Sequence, residues 1–114
     1  MSLAYQLNRK ITIEQAVTTR DPDYGSEVIV WMTVASRIWA EAKDVVPSKT
    51  EAAKMGLRVA TQQTRIRIRN RPGITSDMRI TLHGAEDRIF QIVGGPAEVQ
   101  ERVLLEMLVE NYTV

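Results

Sequence analysis

The single histidine, His83, stands two residues after Thr81 and directly before Gly84. An imidazole can act as a general acid or base or ligate a metal, but each task needs a carboxylate, a nucleophile or a second ligand beside it. Sequence alone cannot place such a group beside it, and a partly exposed turn residue is the expected role. Asp21 and Asp23, in "DPDYGS", are spaced like the first two ligands of a calcium loop. The position that such a loop reserves for glycine holds Ser26, and the position for its bidentate glutamate holds Met32. A proline-stabilised turn is expected instead. Gly94-Gly95-Pro96 lacks the lysine and the helix of a phosphate loop and reads as a hairpin connection. With no cysteine there is no thiolate metal site and no disulfide. No serine–histidine, paired-carboxylate or metal-ligand pattern stands out, so a non-enzymatic protein without metal or cofactor is expected.

The remaining chemistry is charge. "TRIRIRNR", Thr64 to Arg71, sets an arginine at every second position. In an extended chain Arg65, Arg67, Arg69 and Arg71 share one face, and Ile66 and Ile68 take the other. A helix would scatter these arginines around its circumference, so the stretch is a strand. Such a stripe could line an oligonucleotide-binding barrel, but those sites interleave basic residues with stacking aromatics. Aromatics make up 5% of this chain and none lies between Trp39 and Phe90. Phosphate contact is conceivable on this pattern; base recognition is not favoured.

The elements that must carry the stripe follow from period-two patterning. The 114 residues suit one domain, and 44% apolar with 25% charged residues is ordinary for a soluble globular protein. Lys10–Ala16, Glu27–Val34, Arg37–Val45, Val59–Arg71, Arg79–His83 and Arg88–Val93 read as strands. Glu27–Val34 ("EVIVWMTV") is nearly all apolar, as in a strand covered on both faces. Arg37–Val45 sets Trp39, Glu41 and Lys43 on one side. Short strands between turn signals predict an all-β barrel or sandwich. Pro47–Gly56 carries a capping box, Ser48-x-x-Glu51, and predicts a short helix inside a long connection. Arg102–Asn111 fits strand and helix about equally by periodicity.

No long apolar stretch precedes Arg9 and Lys10, which argues against a secretory signal. The apolar stretch Val103–Val109 is too short to span a bilayer. A soluble, cytoplasmic protein is the resulting expectation. Net charge is +1 but uneven. Residues 58–71 hold five arginines and no acid, whereas residues 72–114 hold three arginines against seven carboxylates. A nucleic-acid domain is more often basic overall. That balance turns attention to protein carboxylates as the partners of the stripe.

In order and spacing the chain resembles the head–tail joining, or head-closure, family of tailed bacteriophages and prophages. The resemblance runs through Asp21 and Gly25, Trp31, Trp39-Ala40-Glu41 and Glu51 to Ala53. It continues through Thr64-x-Ile66-x-Ile68-Arg69, Ile74, Arg79-Ile80, Gly84 and Phe90-x-Ile92. Relatives usually have tyrosine at the position of Phe90. The resemblance implies a small antiparallel β-barrel of about six or seven strands, one domain over residues 1–114, with a strand at the C-terminus. It implies a structural role in the virion neck, assembled in the cytoplasm of the bacterial host. The partners would be the portal or adaptor ring and a tail-completion protein. The subunits would form a homo-oligomeric ring, dodecameric in the virion, and can be monomeric when isolated. Genomic DNA would pass through the channel without sequence-specific binding, and no membrane is involved. The connection over residues 46–62 would project into that channel, with Ser48, Lys49, Glu51, Lys54 and Arg58 as candidate channel residues. In such a ring Arg65, Arg67, Arg69 and Arg71, with Glu106 and Glu110, are the candidate interface. Pairing with carboxylates, across strands or between subunits, is favoured over contact with the DNA backbone and over an unpaired, solvated face. An oligonucleotide-binding module of the OB type is the alternative function.

Overall fold

The computed structural model describes residues 6–45 and 63–112. Six strands, β1 (Arg9–Arg20), β2 (Glu27–Val45), β3 (Gln63–Arg69), β4 (Arg79–His83), β5 (Arg88–Val99) and β6 (Leu104–Asn111), close into a barrel. The order around it is β1-β2-β3-β6-β5-β4, and every pairing is antiparallel. Closure leaves no free edge within the barrel wall, because β1 pairs with β4 from Lys10↔His83 to Glu14↔Arg79. The segment 46–62, with its expected short helix and its candidate channel residues, lies outside the described residues.

Alternation builds the core. Ile11, Ile13, Ile66, Ile68, Ile80, Leu82, Phe90, Met107 and Val109 point inward and are all but sealed from water. The arginine stretch therefore has its isoleucines inside and its arginines outside, as period two requires. β6 resolves the helix–strand ambiguity of the C-terminal segment. Its alternating apolar residues fill the gap between β3 and β5, a place only an extended segment can take. The turn before it runs through Gln100, Glu101 and Arg102, all at positive φ, and Asn70 clasps it from the opposite strand end. The Asn70 amide N–H donates to the Val103 carbonyl at 2.9 Å, and its side chain donates to the Arg102 carbonyl at 2.9 Å.

Three expectations are corrected. Glu27–Val34 and Arg37–Val45 are one strand of 19 residues, bent by bulges in the pairing with β1 between Ile11 and Glu14. Within the first bulge Arg37 takes a φ of 47°, and its N–H donates to Thr12 Oγ1 at 3.2 Å. Glu27–Val34 is not covered on both faces: Val28, Ile29, Val30 and Met32 are exposed. β4 stops opposite Glu14 and β3 reaches β2 only from Ala40 onward. Among the described residues Gln15–Arg20 and Glu27–Met32 therefore pair only with each other and project as a ribbon roughly 20 Å long at about 3.4 Å per residue. Lastly, Gly94-Gly95-Pro96 is not a hairpin connection but an irregularity inside β5. Gly94 pairs with Leu108 and Ala97 with Glu106, so Gly95 and Pro96 on β5 stand opposite Met107 alone on β6. Proline supplies no N–H to a ladder, and a bulge is where a strand tolerates it.

The arm ends in "DPDYGS". Asp21 Oδ1 accepts the Asp23 N–H at 2.9 Å and the Asp21 carbonyl accepts the Gly25 N–H at 2.8 Å. Gly25 at φ 68° completes the turn. The Asp21 carboxylate is thus occupied in shaping the turn.

Candidate functional site

The stripe arginines fall into two pairs. Arg67 lies opposite Glu41 on β2 and opposite Glu106 on β6, so strand register alone brings it between two carboxylates. Its Nε donates to Glu106 Oε1 at 2.7 Å. Arg65 donates to Glu41 Oε1 at 3.3 Å, and its Nε lies 3.7 Å from Glu106 Oε1. Lys43 Nζ stands 3.9 Å from the same Glu41 oxygen. The Glu41 side chain is only 8% exposed, the most buried charge in this group. Two carboxylates thus hold three cations on the outer wall, and little of the charge of Arg65 and Arg67 is left for an outside partner. Glu110 is placed differently: its Oε1 accepts from Gln63 Nε2 at 3.0 Å. Arg69 and Arg71 lie beyond this network. Arg69 ends β3 exposed to water, and Arg71 has already left the strand.

Sequence reading passed over Glu41 as a partner. The signal was present, since Glu41 alternates with Trp39 and Lys43, but only the register Glu41↔Arg67 turns that parity into contact.

A second cluster fixes the arm to the barrel. Arg79 Nε donates to Glu14 Oε1 at 3.0 Å. Its guanidinium lies 4.1 Å from the Trp31 ring centroid and 5.9 Å from that of Tyr112, and the two rings meet edge to face at 5.9 Å. Contacts of this type each contribute about 0.5–1.5 kcal/mol. Beyond this anchor no other described residue covers these arm side chains. Tyr24 is 87% exposed, Ile29 64% and Met32 57%. Among the described residues, half of the ten exposed large apolar side chains, Tyr24, Val28, Ile29, Val30 and Met32, sit on this one hairpin. That concentration marks an interaction surface.

His83 is the last residue of β4, with its side chain mostly buried. Its Nε2 lies 2.7 Å from Thr12 Oγ1, the same oxygen that accepts the Arg37 N–H, and its Nδ1 lies 3.4 Å from the exposed Asp87. Asp87 makes no hydrogen bond to that nitrogen, and the Thr12 hydroxyl is engaged by backbone at the bulge. The Thr12–His83 contact braces the bend in β2. Among the described residues no three His, Asp or Glu side chains gather closely enough to hold a metal ion.

An exterior wall of self-paired charge and an uncovered apolar arm describe a part built to be assembled. The model of the phage head completion protein family matches residues 3–111. The chain belongs to that family. It is a family of structural virion proteins rather than a known class of enzyme.

Solved structures agree with this fold. The solution structure of protein SF1141 from Shigella flexneri 2a is 30% identical, with a TM-score of 0.72 over 97% of this chain and 96% of that one. A chain of the virion of a native gene transfer agent particle is 24% identical, with a TM-score of 0.59 over 95% of this chain and 97% of that one. At that identity the second likeness speaks for the fold. No curated protein matches this chain by sequence.

Proposed function

We propose that this head completion protein is a neck component of a phage or prophage virion. It joins the portal or adaptor ring of the head to the tail and helps to close the DNA exit channel, as one subunit of a homo-oligomeric ring. Family membership over residues 3–111 carries the reading. Residues 46–62, with Ser48, Lys49, Glu51, Lys54 and Arg58, are the proposed channel segment. Their assignment rests on resemblance to relatives in which the corresponding segment projects into the channel.

The charged wall supports a structural part over an oligonucleotide-binding module. Arg65 and Arg67 are answered by Glu41 and Glu106 within the barrel, so a phosphate backbone would have to displace bound carboxylates. The experiment is complementation. DNA-filled heads made without the protein are mixed with purified protein and then with tails, and the vertices are imaged by electron microscopy. Added density below the portal, followed by tail joining, is the expected result. Heads that join tails equally well without it would overturn the reading, and so would salt-resistant, tight binding of the protein to short oligonucleotides.

A further inference from the structure

We infer that the arm of one subunit docks into a basic, tryptophan-floored groove on the next copy of the same chain. The inference deepens the ring reading above and rests on it for its biological setting.

The arm presents two things. On one side of the ribbon Val17 faces Val30 across the strands, flanked by Val28 and Met32, a continuous apolar strip. At the tip Asp21, Asp23 and Glu27 outnumber Arg20, giving a local charge of −2. A two-stranded ribbon standing alone is marginal in water, and an apolar one more so, which calls for a covering surface.

The matching surface lies at the opposite end of the same β1–β2 ladder. Two adjoining depressions there, of about 440 and 410 Å³, share Trp39 and Arg69. Among the described residues, Leu7 and Ile38 add apolar lining, Arg37 and Arg71 add charge, and no carboxylate lines either one. Trp39 is 55% exposed, although Lys10 covers part of its ring at 4.7 Å. Arg71 Nε is buried without a hydrogen-bond partner among the described residues, an unanswered donor beside a groove whose described lining holds three arginines. Arginine and tryptophan around a depression are the composition of interface hot spots. The acidic tip and apolar strip of the arm are its complement in both charge and polarity.

Geometry selects a second copy as the occupant. The pair Arg20↔Glu27 at the tip and the pair Arg9↔Ala40 beside the groove are eleven ladder steps apart on β1, about 36 Å. An arm cannot reach back to its own groove, but it can reach a neighbour's. Two different surfaces at opposite ends of one element give a head-to-tail contact, and repetition of that contact closes a ring when the rotation allows.

The chain has no cysteine, so single thiols can be introduced without background. Tyr24→Cys labels the arm tip and Asn8→Cys the groove. The double variant, treated with a short flexible bis-maleimide in purified particles, is expected to give a ladder of covalent multimers that neither single variant gives beyond dimer. Asp23→Lys with Glu27→Lys should cut the cross-linking at least tenfold. Adding Arg69→Glu and Arg71→Glu should restore it, a rescue that a merely misfolded variant would not show. Particles that contain the double variant but yield no multimers, or yield adducts with a different virion protein, overturn the docking and leave the neck reading standing. Absence of the protein from particles would remove the neck reading instead. Cross-linking of the isolated protein at millimolar concentration would then decide the docking by itself, with multimers supporting it and monomers sinking it.

Discussion

Replacing the stripe arginines one at a time with glutamine should reveal three different residues where the sequence shows one repeated pattern. Arg65→Gln removes the 3.3 Å charged hydrogen bond to Glu41, whose side chain is 8% exposed. Lys43 at 3.9 Å is itself 64% exposed and compensates poorly. Leaving a nearly buried carboxylate short of a partner costs about 1–3 kcal/mol. Arg67→Gln removes the 2.7 Å bond to Glu106, but Glu106 is 30% exposed, can rehydrate, and keeps Arg65 at 3.7 Å. Its cost should be about 0.5–1.5 kcal/mol. Arg69→Gln touches no ion pair among the described residues and should lie within about 0.5 kcal/mol of the parent. The double variant at 65 and 67 should depart from the sum of its singles, because both arginines use Glu106 Oε1. Urea unfolding at low micromolar concentration, followed by circular dichroism, measures all four, and thermal midpoints should fall by about 4–8 °C per kcal/mol. Equal losses for the three singles, or the largest loss at Arg69, would refute the assignment of Glu41 and Glu106 as the stripe's partners.

Other outcomes follow from the same structure. Glu110→Gln should change stability by less than about 0.5 kcal/mol, since Gln63 can hydrogen-bond an amide as well as a carboxylate, and chemical denaturation distinguishes this from a larger loss for Glu106→Gln. Gly95→Ala should destabilise the barrel by about 1–3 kcal/mol, because φ is 82° there and a Cβ would stand 2.7 Å from the Glu106 carbonyl oxygen; an unchanged unfolding midpoint would count against this packing. Replacing residues 48–58 by a glycine–serine linker should leave the far-ultraviolet spectrum of the barrel in place and allow heads to join tails, while nuclease-accessible DNA leaks from the particles. Full DNA retention would separate the segment from channel closure.

Much of the fold was legible in the chain. Alternation of Ile66 and Ile68 with arginine gives the strand, its inner face and its outer face, because a period of two has one geometric meaning in an extended backbone. The turn at Asp21–Ser26 follows from side chains that bond their own backbone, and the order of motifs from Asp21 to Ile92 points to the family. These are local properties, written within a few residues of where they act.

What the chain could not show is which strand lies beside which, and where a strand outlasts its neighbours. The run from Val28 to Trp31 is equally apolar whether a sheet covers it or water meets it. β4 ends opposite Glu14 and β3 meets β2 only from Ala40, and together these leave Val28, Ile29 and Val30 bare. Glu41 became a partner of the stripe because pairing set it opposite Arg67, while Glu110, equally acidic, fell opposite Gln63. The C-terminal segment became a strand because barrel closure left one gap between β3 and β5. Register and closure depend on residues far apart in sequence, so local pattern constrains them only weakly. The tertiary structure alone settled which charges neutralise one another and which apolar surface remains open for a partner.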